Sequence, residues 1–231
     1  MADNLLLAAV VAGGGAWGYQ QLTDGAGDPP VPVERGLPPA STSEAFEPLE
    51  VLATIDVKGR APKTGYKRDL FKVGAVDIDR NGCDYRNDTL RRDLTTMDLR
   101  PGTPVCVVEQ GSMTDPYTGD EVSFVRNVRP YEIEIDHLVA LSDAWQKGAQ
   151  QWSPEKRAQF GNDPRNLVAT SRRANQQKKD GDVATWLPPN KAFRCTYVTR
   201  QVEVKSTYGL WVTAAEREAM SAILAGCDDA P

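Results

Sequence analysis

His137 is the only histidine in a chain of 231 residues, and it directly follows Asp136, with Asn166 and Asn175 downstream. A solitary histidine is ordinarily structural, and here the neighbours give it chemistry. Hydrolysing a phosphodiester takes a base to deprotonate water, a cation to neutralise charge on the phosphate and the leaving oxygen, and a group that fixes the base. An imidazole with an unperturbed pKa of about 6.5 suits the base role near neutrality. Successive side chains of a strand point to opposite faces, so Asp136 reaches a cation beside His137 only where the strand ends or twists. Asn175, from a helix, would add a neutral oxygen. One carboxylate, one amide oxygen, waters and a phosphate make a hard site that favours Mg²⁺ or Mn²⁺ over Zn²⁺.

The elements that must position these residues follow from periodicity. Tyr131 to Ile135 alternates apolar residues with glutamates, the pattern of a half-buried strand that delivers Asp136 and His137 at its end. Leu138 to Gln150 reads as helical, and Ser153-Pro154-Glu155 starts a further helix that stops near Gly161. Asn166 to Ala169 is a minimal strand. Thr170 or Ser171 caps a helix through Lys179, for which Gly181 supplies a left-handed termination. Upstream, Val51 to Val57 is a short strand or a helix, and Asp88 to Leu94 is helical. Val105 to Gln110 and Val122 to Val128 form a hairpin around DPYTGDE.

The formal net charge is −5, which argues against a protein that coats nucleic acid through charge alone. The balance reverses from Lys156 to Lys179, where seven Lys and Arg face only Asp163. That run is either a solvated helix face or a patch that meets phosphates. Cys83, Cys106, Cys195 and Cys227 lack the C-x-x-C spacing of a zinc or redox motif. Three disulfide pairings are open, of which the local one, Cys83 with Cys106 and Cys195 with Cys227, closes moderate loops; four reduced thiols in a cytoplasmic protein are the alternative. Asp77, Asp79, Asn81 and Gly82 begin like a calcium loop, but Cys83, Arg86 and Asn87 crowd its second half. The aromatics Trp145, Trp152, Phe160 and Trp186 read as core.

Leu5 to Ala12 is an apolar run too short for a confident membrane span and similar to the core of an export signal. Residues 23–48 are dense in Pro, Gly, Ser and acidic residues, the composition of a spacer. The expected organisation is a signal-like or anchor segment over 1–22, a spacer over 23–48 and a folded domain over 49–231.

The stretches EIDHLVALSDAW and FGNDPRNLVATSRRANQQKKDGDVATWLPP, with YKRDLF and NGCDYRNDTLRRDL upstream, resemble the secreted bacterial HNH endonuclease-family proteins. They are similar also to the nuclease domain at the C-terminus of modification-dependent restriction enzymes. The likeness runs from about Tyr66 to Pro189. It implies an α+β fold: a ββα-metal (HNH) core with inserted helices and an additional β-hairpin, here disulfide-braced. By position it makes Asp136 a metal ligand, His137 the general base, Asn166 the brace that orients the base, and Asn175 the last metal ligand. It brings Arg86 near the active site, as a phosphate ligand or an ion-pair partner of Asp84 or Asp88.

The resulting expectation is an exported endonuclease that hydrolyses DNA, with RNA as a second substrate class, using Mg²⁺ or Mn²⁺. Arg86, Arg172, Arg173, Lys178 and Lys179 are the candidate substrate contacts. A membrane tether through residues 5–19 is a further expectation. The rival reading is a membrane-tethered or extracellular binding protein that keeps the fold without turnover.

Overall fold

A computed structural model describes residues 46–102 and 106–227. The leader, the tether and nearly all of the spacer therefore lie outside the described residues. The ambiguous segment after Phe46 is a helix, α1 (Pro48–Thr54), with Pro at its first turn. The helix expected from Asp88 starts earlier, as α2 (Tyr85–Asp93), because the Asp84 carboxylate accepts the Asn87 amide and caps it.

The hairpin is present, but as two strands of a three-stranded antiparallel sheet, β1 (Thr96–Leu99), β2 (Val108–Thr114) and β3 (Glu121–Val125). β2 runs on through Gly111, past the end expected at Gln110. A Cβ at Gly111 would lie 2.5 Å from the Thr96 carbonyl oxygen, so glycine is what lets β1 close on β2.

The second sheet has two antiparallel strands, β4 (Ile133–His137) and β5 (Leu167–Ser171), with Asp136 opposite Val168 and His137 opposite Leu167. Between them lie α3 (Leu141–Gln146) and α4 (Pro154–Asn162). The helix expected over Leu138 to Gln150 shrinks to α3 and a 3₁₀ turn because Gly148 sits at φ 132°. Ser153 caps α4 as anticipated, its hydroxyl accepting the Lys156 amide. Ser171 caps the next helix, α5 (Arg172–Lys178), through the Ala174 amide. That helix ends with Lys179 itself at φ 56°, not at Gly181. Strands β4 and β5 with α5 form the expected ββα arrangement, and the α+β class is borne out.

The long C-terminal helices carry no expectation from the sequence reading. They are α6 (Arg194–Tyr208), ended by Gly209 in the left-handed region, and α7 (Ala214–Leu224), started by a reciprocal Thr213–Glu216 capping box. They cover Leu138, Val168 and Ala174 from below and so back the ββα unit with core. Beneath α3, the ammonium groups of Lys147 and Lys205 meet Asp143 and Glu216, all four fully buried, with Lys147 also reaching Asp182. These pairs join α3, α6 and α7.

Both disulfides follow the local pairing, Cys83–Cys106 and Cys195–Cys227, across 23 and 32 residues. The first ties the start of α2 to the approach of β2, and the second ties the start of α6 to the end of α7. Losing either is expected to cost about 2–5 kcal/mol. Urea denaturation with and without reductant measures this; coincident curves would mean that the bridges add nothing.

Candidate functional site

His137 closes β4 with its imidazole buried, 3 % exposed. Nε2 lies 2.9 Å from the Gly161 carbonyl oxygen at the end of α4. A carbonyl only accepts, so Nε2 carries the proton, and the unprotonated nitrogen of the neutral ring is Nδ1. Among the described residues nothing hydrogen-bonds Nδ1. Gly161 is glycine for a physical reason, since a Cβ there would lie 2.5 Å from the Phe71 carbonyl oxygen. The α4 terminus, the Phe71 turn and the histidine are thus locked together.

Burial pushes the imidazole pKa down to about 4, with Arg68 and Lys178 adding to the fall and the Gly161 bond and Asp136 opposing it. The histidine is therefore a neutral base throughout the physiological range. In the unfolded chain its pKa returns to about 6.5, so the unfolded state binds the extra proton between those values. Stability contributed by the neutral ring is present above about pH 6.5 and is lost as pH falls towards 4, to the extent of about 3 kcal/mol. Wild type is expected to lose more stability than His137→Gln between pH 6.5 and 4.5 in EDTA. Parallel stability curves would contradict this.

Asn166, fully buried, serves the loop after β4: Oδ1 accepts the Val139 amide at 2.8 Å and Nδ2 donates to the Val139 carbonyl at 3.2 Å. Its backbone carbonyl accepts the Leu138 amide. It holds the chain that follows His137 and makes no hydrogen bond to the ring.

Asp136 leaves the strand towards different partners. Its Oδ2 accepts from Tyr117 Oη at 2.6 Å and faces Lys178 Nζ at 2.8 Å. Lys178 is itself fully buried and also donates to the His137 carbonyl at 2.7 Å. Burial and the adjacent carboxylate hold the Tyr117 hydroxyl well above its usual pKa, so it stays a donor. Asn175 donates from Nδ2 to Glu134 at 2.8 Å, while among the described residues nothing donates to its Oδ1.

His137, Asp136 and Asn175 share one cleft of about 260 Å³, completed by Tyr66, Arg68, Ser142, Lys179 and Asp180. The oxygens of Asp136 and Asn175 fit a hard divalent cation by chemistry, with Asp136 already sharing its charge with Lys178. Among the described residues no three His, Cys, Asp or Glu side chains form a metal cage. The hard oxygens that line the cleft include those of the Asp136 and Asp180 carboxylates and the Asn175 amide.

The candidate substrate contacts divide. Lys179 lines the cleft and is exposed. Arg172 and Arg173 are exposed on α5, near Glu134 at 3.9 Å and Asp120 at 3.0 Å. Lys178 does not face solvent at all, because helical spacing turns it inward beneath Asp136. Arg86 donates to the carbonyls of Pro130 and Ile133 and pairs with neither Asp84 nor Asp88, so it fixes the entry to β4. In the Asp77 loop the carboxylates are taken up internally, Asp77 by the Gly82 amide and Asp79 and Asp88 by Asn81. The sequence does not single out Tyr66, Arg68, Ser142 and Asp180 on the cleft wall, nor Tyr117 and Glu134, which hydrogen-bond Asp136 and Asn175. Arg68 had one available signal, its place in YKRDLF.

Residues 84–223 match the family described as GmrSD restriction endonucleases, C-terminal domain. The chain belongs to this family. It is also 35 % identical over 200 residues to an uncharacterized secreted protein of Arthroderma benhamiae, covering 86 % of this chain and 91 % of that one. That relative is fungal, so the likeness does not mark the chain as bacterial. No solved structure matches it. Among the described residues no helix is long and apolar enough to cross a membrane.

Proposed function

We propose that this chain is an exported HNH-type endonuclease that hydrolyses phosphodiester bonds in DNA, with His137 as general base. The observation that carries the reading is the buried, neutral imidazole whose Nε2–H is committed to Gly161, leaving Nδ1 to take a proton from water in the cleft. Asn166 holds the chain just after the histidine through the Val139 amide and carbonyl. Asp136 and Asn175 would hold one Mg²⁺ or Mn²⁺, which when bound neutralises charge on the phosphate and the departing oxygen. Lys179, just past the end of α5, with Arg172 and Arg173 at its start, contacts the backbone of the nucleic acid and so positions it without reading sequence. Export is supported by the name of the Arthroderma benhamiae relative and by the two disulfides, which persist in oxidising compartments.

A supercoiled plasmid incubated with the protein and Mg²⁺ or Mn²⁺ is expected to be nicked and linearised, and EDTA to stop it. Full cutting in EDTA would remove the metal from the mechanism. No cutting under any divalent cation, with intact binding, would favour a protein that keeps the fold without turnover.

A further inference from the structure

The charges around the cleft do not cancel. Asp136 is neutralised by Lys178 from within. Asp180 is taken by Lys63 at 2.9 Å and by the Ser142 hydroxyl at 3.0 Å. What remains on the cleft wall is Arg68 and Lys179, both exposed, and among the described residues neither side chain makes a hydrogen bond or an ion pair. Asp69, beside Arg68 in sequence, does not line the cleft. A protein with net charge −5 thus presents two uncompensated cations on the cleft that its histidine lines.

The backbone turn that carries Arg68 is also firmly placed. It begins the 3₁₀ turn Arg68–Phe71, whose Phe71 is fully buried against Phe160 of α4, with ring centroids 6.0 Å apart. The turn ends at Lys72 with φ 48°, and Gly161 packs against its last carbonyl. The same helix end that fixes the tautomer of His137 therefore fixes the turn that carries the guanidinium. A guanidinium presents a planar fork of donors that matches two phosphate oxygens.

Resting on the nuclease reading, we infer that Arg68 is a substrate-binding residue that grips the non-bridging oxygens of the phosphate presented to His137. Its charge faces the phosphate as negative charge builds on it, so it stabilises the transition state more than the bound ground state.

The test compares wild type with Arg68→Met and Arg68→Lys, and with Lys191→Met as an exposed lysine outside the cleft. Binding is read by fluorescence anisotropy of a labelled DNA duplex in EDTA across a salt series, and cleavage of the same duplex in Mg²⁺. In Arg68→Met the slope of log K against log salt is expected to fall by about 0.9, the loss of one phosphate contact. Its kcat/KM is expected to fall on the order of 10²–10³-fold, mainly in kcat. Arg68→Lys should keep the salt slope and recover only part of kcat, because it keeps the charge and loses the fork. Lys191→Met should match wild type. If wild type cuts and Arg68→Met keeps both its salt slope and its kcat/KM within twofold, the assignment of Arg68 is overturned and the nuclease reading stands. A wild-type protein that neither binds nor cuts DNA overturns both.

Discussion

His137→Ala is expected to reduce plasmid cleavage by 10²–10⁴-fold, the usual contribution of a positioned general base. The chain holds no other histidine that could take over. The variant also leaves the Gly161 carbonyl without its donor, at a cost of about 1–3 kcal/mol, which a disulfide-braced domain should tolerate. His137→Gln is the companion variant, since its amide can still donate towards that carbonyl while offering no base. Loss of rate in both, with circular dichroism unchanged, separates chemistry from folding. Imidazole added to His137→Ala should restore part of the rate, because the vacated ring volume adjoins a cleft of about 260 Å³. Near-wild-type nicking by either variant would remove His137 from the mechanism.

How much of this was legible depends on whether the signal was local. The strand carrying Asp136 and His137, the two serine caps and the ββα order are written in short-range periodicity and capping chemistry, and the structure has them within a few residues. The histidine's tautomer was not legible, because it rests on a carbonyl 24 residues away. Arg86 and Lys178 were misplaced for one shared reason. A basic side chain looks alike in sequence whether it faces solvent or the interior, and burial is decided by partners distant in sequence. For Arg86 those are backbone carbonyls 44 and 47 residues on, and for Lys178 a carboxylate 42 residues back. The Thr213–Glu216 capping box at the start of α7 was readable by the rule that located the other caps. The buried cluster of Lys147, Lys205, Asp143 and Glu216 was not, since charged side chains read as surface until their partners are known.

Lys178→Met should be among the most destabilising substitutions in the site, and its response to metal tests the role of Asp136. The ammonium is fully buried and shares its protons between the Asp136 carboxylate and the His137 carbonyl. Removing it leaves a carboxylate, 7 % exposed, with only the Tyr117 hydroxyl as partner. Breaking a buried pair from one side typically costs 3–5 kcal/mol, on the order of a 10 °C fall in Tm for a domain of this size. In EDTA, Lys178→Met is therefore expected to melt well below wild type. Replacing both partners, as Lys178→Met with Asp136→Asn, should recover much of the loss, because no uncompensated charge remains. If Asp136 is a metal ligand, millimolar Mg²⁺ or Mn²⁺ should raise the Tm of Lys178→Met more than that of wild type, since in wild type the ammonium competes with the cation for the carboxylate. The double variant, which offers only a neutral amide oxygen at that position, should show a smaller rise. A single variant as stable as wild type in EDTA would mean that the pair contributes nothing to the fold. A destabilised variant whose Tm ignores both metals would leave Lys178 as a structural counter-ion and take Asp136 out of the metal site.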